Sequence, residues 1–151
     1  MDTVFLAFIF LAALFLAYAN GANDNFKGVA TLYGSNTTNY KKALIWATLA
    51  TALGSLTTLY LAGELIIVFK GKGLVPENII QMQNFPLAVG IGAALTVMLA
   101  TFLNLPVSTT HALIGALAGA GWIASETGIH WETLSRAYFL PLVAGPLLSL
   151  A

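Results

Sequence analysis

The first apolar segment of the chain, residues 3–18, runs without interruption into a polar sequence that contains a carboxylate. That sequence is Ala19-Asn20-Gly21-Ala22-Asn23-Asp24-Asn25-Phe26-Lys27-Gly28. A charged side chain in the middle of a bilayer costs about 2.5 kcal/mol or more, so an acid beside a span is first interpreted as functional. Gly21 lowers the helix propensity here, and we expect the helix to break and to free backbone groups for a ligand. The alternative interpretation is a polar loop outside the membrane.

The composition indicates a membrane protein. Of the 151 residues, 58% are hydrophobic and 8% are charged, and the mean hydropathy is +0.85. Soluble domains carry about 25% charged residues, so this chain cannot cover a water-facing surface. A formal net charge of zero argues against a nucleic-acid partner, and the lack of cysteine excludes disulfides and cysteine-based metal sites. We expect a multi-pass protein of the cell membrane, plasma or inner, with the lipid bilayer as a partner.

The apolar segments predict an all-α membrane protein, a polytopic helical bundle. They cover residues 3–18, 43–69, 85–103, 109–124 and 138–151. The first and fourth are short for a full crossing and adjoin polar breaks with Gly or Pro, which is typical of broken or re-entrant helices in inverted-repeat transporters. The last segment stops before it could span. We therefore expect residues 1–151 to form a single transmembrane domain, the N-terminal half of such a transporter and incomplete at its C-terminus.

A second polar cluster, Pro106-Val107-Ser108-Thr109-Thr110-His111, precedes the fourth apolar segment. Ser and Thr in front of an apolar run are typical N-cap residues. A helix N-terminus presents unpaired N–H groups and partial positive charge, which favour an anion. We expect Ser108, Thr109 and Thr110 to bind an oxyanion such as phosphate. The alternative is that they only cap a buried helix.

The first polar cluster suits a cation instead. Asp24 supplies a hard carboxylate oxygen, and amide oxygens come from Asn20, Asn23 and Asn25. Oxygens of this kind, together with carbonyls of an unwound helix, hold sodium in broken-helix transporters. We expect these four residues to hold the coupling ion, with Asp24 and Asn23 as ligands where that ion is sodium. Alternatively, Asp24 carries a proton as the coupling ion. No further cofactor is expected.

The two clusters together resemble the signature of the inorganic phosphate transporter family, the PiT-type permeases. The resemblance rests on Gly21-Ala22-Asn23-Asp24 and on Pro106-Val107-Ser108-Thr109-Thr110-His111, and it covers essentially the whole chain as one half-repeat. It implies an all-helical symporter of two inverted halves that takes up inorganic phosphate with sodium or protons. It also implies a partner for this chain, either a second transporter half or another copy of itself. The substrate-binding residues that it implies are Asn23, Asp24, Ser108, Thr109 and Thr110.

Lys27 departs from the family's commoner pattern, which has another Asn three residues after the Asp. Asn25 is a candidate replacement for that Asn. A lysine at this position is unfavourable for a sodium site of the usual make-up, and it favours an anion or proton coupling.

Other functions fit parts of the same pattern. A permease for another oxyanion such as sulfate is the nearest alternative, and a non-transporting membrane subunit is a second. An intramembrane hydrolase would use Ser108, His111 and Asp24, because Ser108 and His111 have the helical i, i+3 spacing. No nucleophile-elbow motif accompanies them, so we expect no enzymatic activity.

Overall fold

The computed structural model describes residues 3–61, 63, 66 and 69–150, and the regular structure within these ranges is helical. In chain order the helices are α1 (Thr3–Asp24), α2 (Ala30–Gly34), α3 (Tyr40–Leu61), α4 (Glu77–Ile80), α5 (Asn84–Phe102), α6 (Thr109–Ala124), α7 (Trp131–Thr133) and α8 (Leu140–Ser149). A 3-10 turn (Lys27–Val29) precedes α2, and a π-helical turn (Leu134–Phe139) joins α7 to α8.

Long apolar helices confirm that the chain is an all-α membrane protein. Among the described residues, three helical stretches are long and apolar enough to cross a bilayer: Thr3–Gly34, Tyr40–Leu61 and Asn84–Phe102. The second predicted segment, residues 43–69, is helical over α3, but Glu64 near its end lies outside the described residues. The predicted end of the last segment, Ala151, also lies outside them.

The prediction that the first helix breaks at Gly21 is wrong. Helix α1 continues through the polar sequence to Asp24, and the carbonyl of Gly21 accepts a hydrogen bond from the N–H of Asn25 at 3.2 Å. A glycine inside a helix costs only about 1 kcal/mol relative to alanine, and α1 recovers this by packing along α5. The Gly21 carbonyl is therefore used by the helix, and the side chains of the polar sequence carry its chemistry.

The second predicted break is confirmed. Helix α5 ends at Phe102, and Asn104 adopts a left-handed conformation with φ of 56°. The N–H of Leu105 donates to the carbonyl of Ala100 at 2.8 Å, which is the long hydrogen bond of a Schellman motif. Asparagine tolerates this conformation better than most residues. After a short extended connection, α6 covers Thr109–Ala124, as predicted.

The C-terminal segment begins earlier than expected. The sequence pattern predicts an apolar segment from Tyr138, whereas helical structure starts at Trp131 and passes through a π-helical turn. That turn ends just before Leu140-Pro141. Proline has no N–H to donate to the carbonyl four residues earlier, so the usual hydrogen-bond pattern is interrupted there.

Small buried residues bring α1, α5 and α6 close together. Ala19 in α1, Val97 in α5 and Ala112 in α6 form one buried cluster, and Met98 and Val107 pack against it. Small side chains let helices approach closely. This cluster lies directly beside Asn20, so it fixes the end of α1 against the start of α6.

Candidate functional site

The fold brings the two polar clusters of the sequence together. The hydroxyl of Thr109, at the start of α6, lies 3.0 Å from Oδ2 of Asp24 and 2.5 Å from Oδ1 of Asn20. A hydroxyl has one proton, so Thr109 donates to one of these two oxygens at a time. Asn20, Asp24 and Thr109 are half-buried. Asn20 and Asp24, two of the predicted coupling-ion residues, thus share one hydrogen-bond donor, which is Thr109 of the predicted anion cluster.

Asn23 ties the end of α1 to the connection between α5 and α6. Its amide nitrogen donates to Oγ1 of Thr101 at 2.9 Å and to the carbonyl of Leu105 at 3.2 Å. Its amide oxygen accepts from Nζ of Lys27 at 2.7 Å and from the N–H of Val107 at 3.3 Å. A side-chain amide has two N–H donors and two acceptor positions, so every polar position of Asn23 is engaged.

Lys27 reaches back over the same face of the chain. Its ammonium lies 2.5 Å from Oδ1 of Asp24, 2.7 Å from the amide oxygen of Asn23 and 3.1 Å from the carbonyl of Val107. The ion pair with Asp24 spans three residues along the chain, and both side chains are partly exposed. In the sequence, Lys27 is a departure from the commoner family pattern, which has asparagine at this position. Its i+3 and i+4 spacing from Asp24 and Asn23 is the signal that places it on their face.

An open cleft of about 630 Å³ lies beside these groups, within the usual range of small-ligand sites, about 300–1,000 Å³. Its apolar lining residues come from α1, from α6 and from two positions outside these helices: Ala13, Leu16, Ala17, Leu113, Phe69 and Val107. Its polar lining residues are Asn20, Asp24, Ser108, Thr109 and Thr110. A second cleft of about 300 Å³ is lined in part by Asn23 and Lys27, and it shares no lining residue with the first. The Lys27–Asp24 ion pair therefore stands between two clefts.

Ser108 is the N-cap of α6. Its backbone is extended, and its Oγ accepts a hydrogen bond from the backbone N–H of His111 at 3.3 Å. The first N–H groups of an α-helix have no carbonyl partner within the helix, and Thr109 and Thr110 hold these positions at the cleft. His111 meets Ser108 through its backbone N–H.

Asn25 lies apart from the other predicted coupling-ion residues. Its amide nitrogen donates to Oγ1 of Thr48 at 3.1 Å, and its amide oxygen accepts from Oγ1 of Thr51 at 3.0 Å. Both threonines are in α3. Asn23 and Asn25, two positions apart, thus bond to different neighbours, and Asn25 connects the turn after α1 to α3.

The described residues contain no group of three or more His, Asp or Glu side chains that could hold a metal ion. Asp24 is accompanied instead by amide, hydroxyl and carbonyl oxygens. Such a set suits a weakly bound alkali cation or an ammonium better than a transition metal, which prefers imidazole or thiolate ligands.

Known proteins resemble this chain over most of its length. The profile of the phosphate transporter family matches residues 20–151. The human sodium-dependent phosphate transporter 1 is 30% identical over 144 residues, which cover 91% of this chain and 21% of the human protein. The Xenopus tropicalis protein of the same name is 31% identical, covering 91% and 20%. Sodium-dependent phosphate transporter 1-A of Danio rerio is 27% identical over 154 residues, covering 97% and 23%.

No solved structure matches the chain significantly. The chain spans about a fifth of the length of the curated relatives that it matches. The family match begins at Asn20 and includes every polar residue of the site. The chain belongs to the phosphate transporter family.

Proposed function

We propose that this chain is one half of a symporter that moves inorganic phosphate across the cell membrane with a cation, sodium or a proton. The observation that carries the proposal is the contact between Thr109 and Asp24. It sets a hydroxyl-rich helix N-terminus, which suits an anion, against an acid within a candidate membrane span, which suits a cation. The curated relatives bear the name sodium-dependent phosphate transporter, which supports the same pair of substrates.

In this proposal phosphate enters the larger cleft and meets the start of α6. Ser108, Thr109 and Thr110 line the cleft there, and their hydroxyls and backbone N–H groups donate to phosphate oxygens. Neutral donors of this kind replace water around the anion without a permanently bound positive charge. The anion can therefore leave again on the other side, as transport requires.

Asp24 favours phosphate over sulfate in the cleft, because its carboxylate can accept a hydrogen bond from the substrate. At neutral pH phosphate keeps a P–OH group, which can donate to a carboxylate, whereas sulfate has no proton to donate. Oδ2 of Asp24 lies at the cleft beside Thr109 and is placed to accept such a bond. A site built to pair with a substrate hydroxyl rejects an analogue that lacks it, because its own polar group is then left unpaired.

The cleft is open, which supports a second half as its other wall. Inverted-repeat carriers place their substrate between two halves, each contributing one polar helix end. In this chain the end of α1 and the start of α6 supply the polar lining of the cleft. We propose that the opposite side is completed by a second transporter half or by another copy of this chain.

The test is uptake of labelled phosphate by proteoliposomes that contain the chain at high density, under an inward sodium or proton gradient. We expect uptake above that of empty liposomes, dependent on one of the two gradients and not competed by sulfate. Equal competition by sulfate would contradict phosphate selectivity. Uptake of sulfate alone, or no anion-dependent signal, would contradict the proposed substrate.

A further inference from the structure

The ammonium of Lys27 is surrounded by oxygen atoms from two parts of the chain. It lies within hydrogen-bond distance of the Asp24 carboxylate, the Asn23 amide oxygen and the Val107 carbonyl, at 2.5, 2.7 and 3.1 Å. An ammonium has three N–H donors, so these acceptors satisfy all of them. A carboxylate, an amide oxygen and a backbone carbonyl are also the oxygen types that bind hard cations in proteins.

The charges at this position are already balanced. Asp24 is the only acid between residues 3 and 61, and its Oδ1 is paired with Lys27. A free cation bound to the same oxygens would be a second positive charge a few ångströms from the ammonium. Like charges at that distance repel, and the oxygens bonded to the ammonium are no longer free to bind a second cation. A sodium ion and the ammonium therefore compete for this set of oxygens.

Lys27 is held at this position by the local backbone. It begins the 3-10 turn that follows α1, three residues after Asp24. Its side chain bonds to Asn23, which is itself fixed by Thr101 and Leu105, and to the connection that leads into α6. The side chain keeps 43% exposure and that of Asp24 keeps 32%, so ions in solution have access to the pair.

We propose that the ammonium of Lys27 is a tethered cation that takes the place of a free coupling ion at Asp24 in this half of the transporter. Its role in transport rests on the proposed function, but its occupation of the oxygen set does not. Since the charge is covalently attached, binding at these oxygens is independent of the sodium concentration. Asp24 is neutralised in advance, and the phosphate-binding start of α6 faces a neutral ion pair.

This chain differs from the commoner family pattern at position 27, where it has lysine in place of asparagine. The commoner asparagine at position 27 would supply an amide oxygen in place of a charge and leave room for a free ion. Lys27→Asn should therefore convert a sodium-independent position into one that binds sodium. Lys27→Ala removes the ammonium without adding a ligand, and it should bind sodium more weakly than Lys27→Asn.

The experiment measures the melting temperature of the purified full chain in lipid nanodiscs, in sodium chloride and in choline chloride, without phosphate. We expect the same melting temperature for the parent in both salts and a rise of several degrees in sodium for Lys27→Asn, because a ligand that binds only the folded state stabilises it. Binding of labelled sodium should be saturable in the variant and not in the parent. Lys41→Asn is the matched control, since Lys41 is exposed at the start of α3 and should behave as the parent.

Saturable sodium binding or sodium stabilisation in the parent would overturn the proposal, and this result does not depend on any variant folding. Folded Lys27 variants that gain no response to sodium would overturn it as well. A variant that folds only in sodium would support it.

Phosphate is then added in a separate arm, which tests the proposed function. A sodium response confined to the variants, without any effect of phosphate, would support the tethered cation and contradict phosphate as the substrate. Under the full account, replacing choline by sodium tightens phosphate binding by roughly tenfold in Lys27→Asn, an ordinary size for coupling between two sites. The same exchange leaves phosphate binding to the parent unchanged.

Discussion

The hydroxyl of Thr109 lies 3.0 Å from Oδ2 of Asp24, although 85 positions separate the two residues along the chain. The contact joins the end of α1 to the start of α6. Because the single hydroxyl proton is shared between Asp24 and Asn20, an anion that takes this donor changes the hydrogen bonding of Asp24. The start of α6 and the end of α1 are thereby linked through one hydrogen-bond donor.

Replacement of Asp24 by asparagine should abolish concentrative phosphate uptake. Asp24→Asn keeps the size of the side chain and removes the charge, so the ion pair beside the cleft is lost and Lys27 is left without its counter-ion. The measurement is accumulation of labelled phosphate against a gradient, with the melting temperature recorded beside it. Asp24→Asn/Lys27→Asn should recover part of the lost thermal stability without recovering uptake.

Glu132→Gln is the matched control for the loss of an acid. Glu132 pairs with Arg136 at 3.4 Å on the surface, with both side chains 78% exposed, so its removal should leave uptake unchanged. Full accumulation of phosphate by Asp24→Asn would remove this acid from the mechanism.

Asn25 should contribute to stability and not to ligand binding. Asn25→Ala removes the hydrogen bonds to Thr48 and Thr51 that connect α1 to α3, and each such bond contributes about 0.5–1.5 kcal/mol. We expect a lower free energy of unfolding and unchanged phosphate affinity. Asn20→Ala, which removes a lining residue of the cleft, should lower the affinity instead. A loss of phosphate affinity in Asn25→Ala as large as in Asn20→Ala would show that Asn25 belongs to the site.

Gly121 should be irreplaceable where Gly119 is not. A Cβ at Gly121 would lie 2.3 Å from Cγ1 of Val75, whereas a Cβ at Gly119 would meet nothing within 4 Å. Val75 is buried in the larger core cluster and has little room to move, so Gly121→Ala should destabilise the fold by about 1–3 kcal/mol. Gly119→Ala should be neutral or stabilise α6 by up to about 1 kcal/mol. Chemical unfolding in detergent measures both, and equal stability of the two variants would contradict the packing.

Single copies of the chain should not transport. The polar lining of the cleft comes from one helix pair and is open on its other side, and unsatisfied polar groups facing lipid cost several kcal/mol each. Vesicles reconstituted at high dilution, with copy number counted by photobleaching, provide the measurement. We expect phosphate uptake only in vesicles with two or more copies or with a second half present. Uptake at a constant rate per copy down to one copy would contradict the pairing.

The sequence alone predicts the membrane class, the bounds of α5 and α6 to within a residue and the two polar clusters, because these depend on local composition. The N-cap at Ser108 and the break at Asn104 are local features of this kind. The continuation of α1 through Gly21 is not local, since it depends on packing against α5. Neighbouring asparagines are also difficult to separate by sequence: Asn23 lies in the last turn of α1 and Asn25 in the turn that follows it, and their partners differ.

The contacts of Lys27 can be predicted only in part from the sequence. Its spacing places it on the face of Asn23 and Asp24, and this much is accessible from sequence. The third contact, with the carbonyl of Val107, comes from a segment 80 positions away. Only the tertiary fold could reveal that the ammonium is bonded to a set of oxygens suited to a free cation.

Equilibrium binding of labelled phosphate to the purified chain in nanodiscs tests the central claim most directly. The comparison is between the parent, the triple variant Ser108→Ala/Thr109→Ala/Thr110→Ala, and Thr96→Ala as control, because the Thr96 hydroxyl bonds to the carbonyl of Gly92 in its own helix. Each hydrogen bond lost to a charged ligand costs about 1.5–3 kcal/mol, so the triple variant should bind at least about tenfold more weakly. The account predicts saturable binding by the parent and the control and its loss in the triple variant. Equal phosphate affinity in all three proteins would contradict it.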